Sequence, residues 1–477
     1  MISEYVRELT RYTEKELKAI LHCSNVEFKN IVKLLKDYGI LKTVKATDLQ
    51  KDFSNLQDTD FLDDNTYDMS SNYFFVFKFV GIIVIAGRIL KCYPKYLISA
   101  KKPKEELKQV IKVIEKHDSN EQELKMFTNN ENGSMSSILP VMLYLLHDYY
   151  DNGLYYNTQN IIEINGEGET YWDKTINESF MVLSKGRPYY PELYTKKRII
   201  KETDFLRRVH ASILTEISRT LNSSDLSYIF DIEGVELSEE SLDELGDTEY
   251  ILYRINKELN VQFNTRKQYV LKALYTYISN IDHISDLDCL SIYGTTSFYN
   301  IWEDVFKDIL NDKYNTALAM LSLPQKLKNK YNPNALLKDL INKPYWTKSK
   351  TYSDKTLEPD ILSVTDKCFM IFDAKYYNIQ LNEGEQPRGN PGIESITKQY
   401  LYELAYSEFI YDHGFEKIRN CFILPTEKDQ IINCGNVQLH MFDSLNLENI
   451  QIRLIPATLA YDLYLSNQKL DLSLIDL

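Results

Sequence analysis

The chain has 477 residues, of which 44% are hydrophobic and 26% charged, and its formal net charge is −14. This composition is typical of a globular protein with several domains, and the acidic balance argues against a protein that coats nucleic acid non-specifically. Six scattered cysteines exclude a disulfide framework or a cysteine-rich zinc site, and the absence of long apolar runs or a signal peptide predicts a cytoplasmic protein without membrane contact.

The N-terminal residues 1–46 are predicted to form a winged-helix-like module. Their pattern indicates three short helices followed by a strand, and two of the helices begin at capping boxes, Thr13 with Glu16 and Ser24 with Glu27. Over residues 1–45 there are nine lysine and arginine residues against six acidic ones, so the segment is locally basic. We expect it to contact DNA or a partner protein, and the sequence leaves both possibilities open.

A polar, acidic stretch at 47–71 is predicted to be a linker, because it lacks apolar periodicity. Residues 72–200 are predicted to be a region of strands with some helices, and residues 201–285 a helical region. The strands begin with a predicted antiparallel meander punctuated by Gly81 and Gly87, at 73–79, 82–85 and 88–92. No phosphate-binding loop of the GxxxxGK[ST] type occurs, so we expect no nucleotide to be bound by this chain alone.

Two apolar strands with acidic residues at their outer ends flank a short polar turn in the C-terminal part. If Asp366 and Lys367 form a two-residue hairpin loop, Asp360 lies directly opposite Asp373, with Cβ atoms ~5 Å apart. Side chains alternate along a strand, so Lys375 lies on the same face as Asp373. Two adjacent carboxylates repel each other unless a cation lies between them, and this face therefore predicts a metal site.

The predicted metal is Mg²⁺, with Mn²⁺ as an expected substitute, because carboxylate and carbonyl oxygens with open positions suit a hard cation. The expected ligands are Asp360, Asp373 and the Ala374 carbonyl. Such a metal activates water against a phosphodiester, and Lys375 is expected to orient that water and to neutralise charge in the transition state. Acidic strand ends also occur in proteins without catalysis, so the spacing carries the prediction rather than the Asp-x-Lys tripeptide.

Further candidate residues surround this hairpin. Glu303 borders the apolar face of an amphipathic helix predicted from Phe298 to Leu310, and is expected to join the metal site directly or through water, or else to be a solvated helix residue. Lys398 and Gln399, on a helix predicted over 394–411, are expected to contact DNA or the reactive lysine, or to be surface residues. The candidate DNA contacts are Lys326, Lys328, Lys330, Lys348, Lys350, Arg388, Lys398 and Gln399.

These motifs resemble those of a known nuclease family. Trp302-Glu303, Pro359-Asp360 and Asp373-Ala374-Lys375, followed by a tyrosine-rich helix, resemble the PD-(D/E)xK nuclease domain of McrC-type restriction subunits. The stretch from Val80 to Leu90 is similar to the early β-rich region of that family. With its winged-helix-like start and its length, the chain looks most like the LlaJI-type restriction endonucleases, which are relatives of McrC.

The resemblance implies an α+β multidomain protein whose residues 286–477 form a restriction-endonuclease-like α/β nuclease core. It implies a Mg²⁺-dependent DNA endonuclease subunit of an anti-phage restriction system, with an associated DNA methyltransferase. The subunit would work with a McrB-like AAA+ GTPase that recognises and translocates DNA, and residues 72–200 would dock to that partner. Two alternatives remain at this stage, a standalone type II restriction endonuclease and a catalytically idle DNA-binding adaptor.

Overall fold

The computed structural model describes residues 2–45, 73–118, 138–200, 204–281 and 290–475, and the predicted linker at 47–71 lies outside this part of the chain. The fold is a mixed α+β fold, as predicted, and it divides into two compact units. One unit combines Met1–Thr128 with Leu287–Leu477, and the other comprises Asn129–Asp286. None of the described helices is both long and apolar enough to cross a membrane.

The first unit begins with two strands and two helices: β1 (Ile2–Arg7), α1 (Glu14–Leu21), α2 (Asn25–Asp37) and β2 (Leu41–Lys45). Both predicted capping boxes are present and start α1 and α2. The first of the three predicted helices is wrong, because residues 2–7 form a strand that pairs in parallel with residues 88–93. That partner is distant in sequence, so local periodicity contained no sign of the pairing.

A four-stranded sheet follows, in the order β1-β5-β4-β11. Besides β1, the sheet contains β4 (Val80–Ile85), β5 (Arg88–Tyr93) and β11 (Leu290–Thr295). The strand β3 (Tyr73–Phe77) precedes β4 in the chain, and the helix α3 (Lys104–Asp118) follows β5. The predicted meander is confirmed for β4 and β5, which pair antiparallel, whereas β3 pairs with β2 instead. Gly81 lies opposite Gly294, and a Cβ on Gly81 would lie 2.2 Å from the Tyr293 carbonyl oxygen, so this close strand approach requires glycine.

The second unit combines short strands with helices over the described positions 138–200 and 204–281. Its sheet has the order β6-β10-β7, and β8 and β9 form a separate hairpin. The elements are α4 (Ile138–Asn152), β6 (Thr158–Ile164), β7 (Glu169–Thr170), α5 (Trp172–Glu178), β8 (Val182–Ser184), β9 (Arg187–Tyr189), β10 (Tyr194–Ile200), α6 (Phe205–Ser223), α7 (Leu226–Ile229), α8 (Leu242–Leu245), α9 (Thr248–Leu259) and α10 (Thr265–Ile281).

The C-terminal part of the first unit contains a five-stranded sheet in the order β14-β15-β16-β18-β17, with β15, β16 and β18 parallel and the two edge strands antiparallel. Its helices and strands are α11 (Phe298–Ile309), β12 (Tyr345–Trp346), β13 (Thr351–Tyr352), β14 (Ile361–Val364), β15 (Cys368–Ala374), α12 (Ile393–His413), β16 (Lys417–Thr426), β17 (Ile432–Val437), β18 (Ile450–Pro456) and α13 (Ala457–Leu465). Single 3₁₀ turns occur at Leu318–Met320, Leu337–Leu340, His440–Leu445 and Leu472–Ile475.

Helices cover both faces of this sheet. On one face, Phe369 and Ile371 of β15 pack against Tyr406 and other apolar residues of α12 in a buried cluster. On the other, the rings of Trp302 (α11) and Tyr461 (α13) meet edge to face at 6.1 Å, and both side chains are fully buried. Burying each large side chain contributes about 1.5–3 kcal/mol, so these two layers hold the ends of β14 and β15 in fixed positions.

Candidate active site

The hairpin register predicted from the sequence is confirmed. Ile361 pairs with Phe372, and Val364 with Phe369, so the loop residues are Asp366 and Lys367, bounded by Thr365 and Cys368. The Thr365 N–H donates to the Cys368 carbonyl over 3.0 Å and closes the turn. Asp360 immediately precedes β14, which places it across from Asp373.

The three predicted side chains converge at the open end of this hairpin. Lys375 Nζ lies 2.7 Å from Asp373 Oδ1 and 3.8 Å from Asp360 Oδ2. Asp373 is only 5% exposed, whereas the side chains of Lys375 and Asp360 keep 20% and 26% of their surface in contact with solvent. The site is therefore a recess with one deep carboxylate and an open rim.

Burial and like charge together determine the ionisation of these groups. Burial raises the pKa of Asp373 well above its ordinary value, and the neighbouring Asp360 carboxylate raises it further, while Lys375 opposes both effects. Burial alone would lower the pKa of the Lys375 ammonium, but the charges of Asp373 and Asp360 outweigh it and raise that pKa. Lys375 therefore stays charged, and one ammonium faces two carboxyl groups.

Glu303 reaches the same site from α11, as predicted. Burial, followed by the charge of Asp360, raises its pKa from 4.5 to about 7. The apolar face predicted for this helix is confirmed by its buried residues: Phe298, Ile301, Trp302, Val305, Phe306 and Ile309. The adjacent Asp304 lies 2.8 Å from Lys307 and 3.0 Å from His117, so its charge is directed to those partners.

The residues of the recess fit a hydrated divalent cation. Asp373 Oδ1 and Asp360 Oδ2 are both buried, and the Lys375 ammonium lies 2.7 Å from the first and 3.8 Å from the second. Among the residues that the structure describes, no group of three or more carboxylate, histidine or cysteine side chains is close enough together to hold a metal ion by itself. Mg²⁺ suits such a site, because it takes one or two carboxylates and fills its other positions with water and phosphate oxygens. Ala374 is buried beside them, and the role of its carbonyl stays a prediction.

Contacts from distant parts of the first unit hold the segment that follows Lys375. The Tyr376 hydroxyl donates to Glu8 Oε2 over 2.7 Å, and Asn378 Nδ2 donates to the Lys95 carbonyl over 2.8 Å. Lys95 Nζ also lies 4.5 Å from the centroid of the Tyr376 ring. Sequence reasoning missed Glu8, because nothing in its local pattern distinguishes it from any other acidic residue.

On the opposite side, α12 fixes the segment that contains Asp360. The Tyr402 hydroxyl donates to the Glu358 carbonyl over 2.9 Å. Asp360 and Asp373 both raise the pKa of Tyr402, after the larger effect of burial, so this side chain also lies near the carboxylates. The tyrosine-rich composition of the helix was noted from the sequence, but the specific contact was not.

A buried polar group lies along the inner side of α12. Gln399, Glu403 and Tyr406 recur at helical spacing on that side, and all are at most 1% exposed. Neither polar atom of the Gln399 amide has a hydrogen-bond partner among the described residues. Such complete burial argues against the predicted DNA contact of Gln399 and against its placement on the surface, and leaves contact with the reactive lysine as a prediction.

The buried carboxyl group of Glu403 should make the stability of the protein depend on pH. Its carboxylate accepts a hydrogen bond from the Glu448 N–H over 2.9 Å, yet burial raises its pKa from 4.5 to about 7. Its favourable contribution is therefore fully present below about pH 4.5 and lost as the pH rises through about 7. We expect the stability of Glu403→Gln relative to the native chain to rise by about 3 kcal/mol between these limits.

Urea unfolding at pH 5 and pH 8 measures this difference. Glu383→Gln, a change at an exposed loop position, is the matched control and should change the free energy of unfolding at neither pH. If the stability of Glu403→Gln and that of the native chain depend on pH equally, the raised pKa of Glu403 is contradicted.

Some of the predicted basic residues are paired with acids and others are not. Three of them pair with acids on α12: Lys328 with Asp412 at 2.7 Å, Lys330 with Glu408 at 2.6 Å, and Lys398 with Glu394 at 2.7 Å. No ion pair with a described acidic residue occurs for Lys326, Lys348, Lys350 or Arg388, and all four are exposed. Lys348 and Lys350 belong to the loop between β12 and β13.

Comparisons with known proteins agree on a family. The model of the LlaJI restriction endonuclease family matches residues 79–461. The type II restriction enzyme BsuMI component YdjA of Bacillus subtilis (strain 168) is 30% identical over 409 residues, covering 82% of this chain and 81% of that protein.

Two solved structures from Thermococcus gammatolerans also align with the chain. One chain of the refined half-complex from a tetradecameric assembly of McrB AAA+ hexamers with bound McrC has a TM-score of 0.38 and 13% identity. That alignment covers 98% of this chain and 99% of that chain. The cryo-EM structure of the McrBC complex gives a TM-score of 0.24 and 12% identity, over 58% of this chain and 79% of that chain.

Proposed function

The chain belongs to the LlaJI restriction endonuclease family, and we propose that it is the metal-dependent nuclease subunit of a restriction system, with a PD-(D/E)xK centre at Asp360, Asp373 and Lys375. The observation that carries this proposal is the convergence of two carboxylates and one ammonium on one face of the β14–β15 hairpin. A catalytically idle adaptor would gain nothing from a buried carboxylate whose charged form burial and Asp360 both disfavour.

In this proposal Asp360 and Asp373 hold Mg²⁺ or Mn²⁺, with the Ala374 carbonyl and Glu303 as further ligands, directly or through water. When bound, the metal polarises the scissile phosphate and lowers the pKa of the attacking water. Lys375 holds that water with its ammonium and neutralises charge on the phosphoryl oxygens. Tyr402 keeps Asp360 in place by binding the preceding backbone at Glu358.

The proposed partner is a McrB-like AAA+ GTPase that recognises and translocates DNA, and the system is proposed to include a DNA methyltransferase. The Bacillus subtilis relative is named as a component of a type II restriction enzyme, which supports a multi-component assembly. The N-terminal segment, with α1 and α2 followed by the paired strands β2 and β3, is proposed to be the winged-helix-like module that contacts DNA or protein.

The second unit offers a surface for the docking of this partner within the predicted region 72–200. Several large apolar side chains between β6 and β9 are exposed, at fractions from 52% to 80%: Ile164, Trp172, Ile176, Phe180, Leu183 and Tyr189. Clustered exposed apolar residues of this kind mark protein interfaces more often than plain surface. Phe180 and Leu183 are the most exposed of them.

One experiment separates the proposal from the standalone type II alternative. Plasmid DNA is incubated with the purified chain in Mg²⁺ or EDTA, first alone and then with GTP and a McrB-like GTPase from the same restriction system. We expect cleavage only with Mg²⁺, GTP and the GTPase together. Discrete fragments from the chain alone would favour the standalone enzyme, and cleavage in EDTA would refute the metal-dependent centre.

Two substitutions locate the docking surface in the same assay. Phe180→Asp with Leu183→Asp should abolish GTP-dependent cleavage and co-purification with the GTPase, because charged residues disrupt an apolar interface. Phe263→Asp is the matched control, since Phe263 is 93% exposed in the same unit but lies outside the cluster. Unchanged co-purification of the double variant would contradict this location.

A further inference from the structure

The hairpin formed by β12 and β13 carries aromatic side chains on its outside. Tyr345 pairs with Tyr352 and Trp346 with Thr351, and the Ser353 N–H donates to the Pro344 carbonyl over 2.8 Å. Yet Tyr345, Trp346 and Tyr352 are 50%, 62% and 67% exposed. Three large aromatic residues on one two-stranded element contribute little to a core and remain available to a ligand.

The same hairpin is basic although the chain is acidic. Residues 343–355 contain four lysines against one acidic residue, Asp354, in a chain of net charge −14. None of Lys343, Lys348, Lys350 and Lys355 forms an ion pair with any acidic residue that the structure describes, unlike Lys328 and Lys330. Positive charge without an internal partner favours a polyanionic ligand.

The hairpin lies close to the candidate active site along the chain. The Thr356 hydroxyl donates to the Asn342 carbonyl over 2.8 Å, which ties the two sides of the hairpin base together. Only seven residue steps separate Ser353 from Asp360, so even a fully extended chain spans at most about 25 Å. One turn of duplex DNA is about 34 Å long, which exceeds this distance. A duplex with a phosphate at Asp360 is therefore long enough to reach the hairpin as well.

We propose that residues 343–355 form a DNA-contacting hairpin, in which Lys348 and Lys350 bind phosphates while Trp346 and Tyr352 pack on the sugars beside the cleavage position. This inference rests on the proposed function for the identity of the polymer. Contacts with phosphates and sugars are tolerant of sequence because every nucleotide carries the same backbone, so the hairpin fixes the DNA without selecting its sequence.

Binding of the full-length chain to a fluorescent duplex of about 40 base pairs, some four helical turns, tests the proposal in EDTA, where the metal-dependent cut cannot occur. We expect Trp346→Ala with Tyr352→Ala to weaken binding about tenfold or more, because both rings lose apolar surface that DNA buries. Lys348→Ala with Lys350→Ala should reduce the slope of log K against log salt by about 1.8, the contribution of two lost phosphate contacts.

Matched controls come from the second unit. Tyr253→Ala removes an aromatic residue that is 61% exposed and lies outside the proposed docking surface, and Lys257→Ala removes an exposed lysine; neither should change affinity or salt slope. Tryptophan fluorescence adds a direct signal, because the chain has three tryptophans and Trp302 is fully buried. DNA should quench emission in Trp172→Phe but not in Trp346→Phe.

Native affinity and salt slope in both double variants would overturn the hairpin assignment, and Mg²⁺-dependent cleavage by the native chain with its GTPase would then leave the proposed function standing. If the double variants bind DNA as the native chain does but no longer co-purify with the GTPase, the DNA-contacting assignment is overturned in favour of a protein-docking hairpin. A native chain that neither binds the duplex nor cuts with the GTPase would contradict the hairpin and the proposed function together.

Discussion

Asp373→Asn should abolish DNA cleavage while the protein keeps, or gains, resistance to unfolding. A metal that polarises phosphate contributes several kcal/mol to the transition state, so losing its deepest ligand should lower the rate by about 10³-fold or more. The fold should not suffer, because burial and Asp360 both disfavour the charged form of this carboxyl group. An amide of the same shape removes that repulsion.

The assay compares Asp373→Asn with Asp366→Asn, a change in the exposed loop of the same hairpin, in Mg²⁺-dependent plasmid cleavage and in thermal unfolding. The loop variant should cut at the native rate. Native cleavage by Asp373→Asn would remove Asp373 from the metal site and would favour a centre placed elsewhere in the chain.

Lys375→Met should also abolish cleavage, but with the opposite effect on stability. Lys375 supplies the one ammonium within 4 Å of both carboxylates, at 2.7 Å and 3.8 Å, among the described residues. Removing it leaves two partly buried acids facing each other, so we expect the free energy of unfolding at pH 7 to fall by about 1–3 kcal/mol. Mg²⁺ should restore part of this loss, because it binds the folded form and replaces the missing positive charge.

Calorimetric unfolding of Lys375→Met with and without Mg²⁺ measures the restoration, and Lys367→Met in the exposed turn is the control. The expected signature is a Mg²⁺-dependent rise in unfolding temperature that exceeds the rise in the native chain. If Mg²⁺ has no effect on Lys375→Met, the two aspartates do not form a metal site, whatever the cleavage result.

Local patterns predicted the candidate site well. The register of the hairpin followed from a two-residue turn and strand alternation, and the face of α11 that carries Glu303 followed from helical periodicity. Both depend on residues within a few positions of each other. The same holds for the two capping boxes of α1 and α2.

Long-range pairings were not predictable in the same way. β1 was expected to be a helix, because its parallel partner β5 lies far along the chain and the segment alone does not reveal it. The contact of Tyr376 with Glu8 joins residues 368 positions apart. Charge counts likewise placed Lys328 and Lys330 in a basic stretch, but could not show that Asp412 neutralises them.

The contact between Glu8 and Tyr376 has a consequence for biogenesis. The ribosome releases Glu8 early, but Tyr376 follows 368 residues later, and the interior strand β18 ends only at Pro456. At about 5–20 residues per second, the nascent chain needs roughly 20–90 seconds to span this interval. We therefore expect translation products that end before Pro456 to leave the host chromosome uncut, because the scaffold of the proposed metal site closes only after β18 has been made.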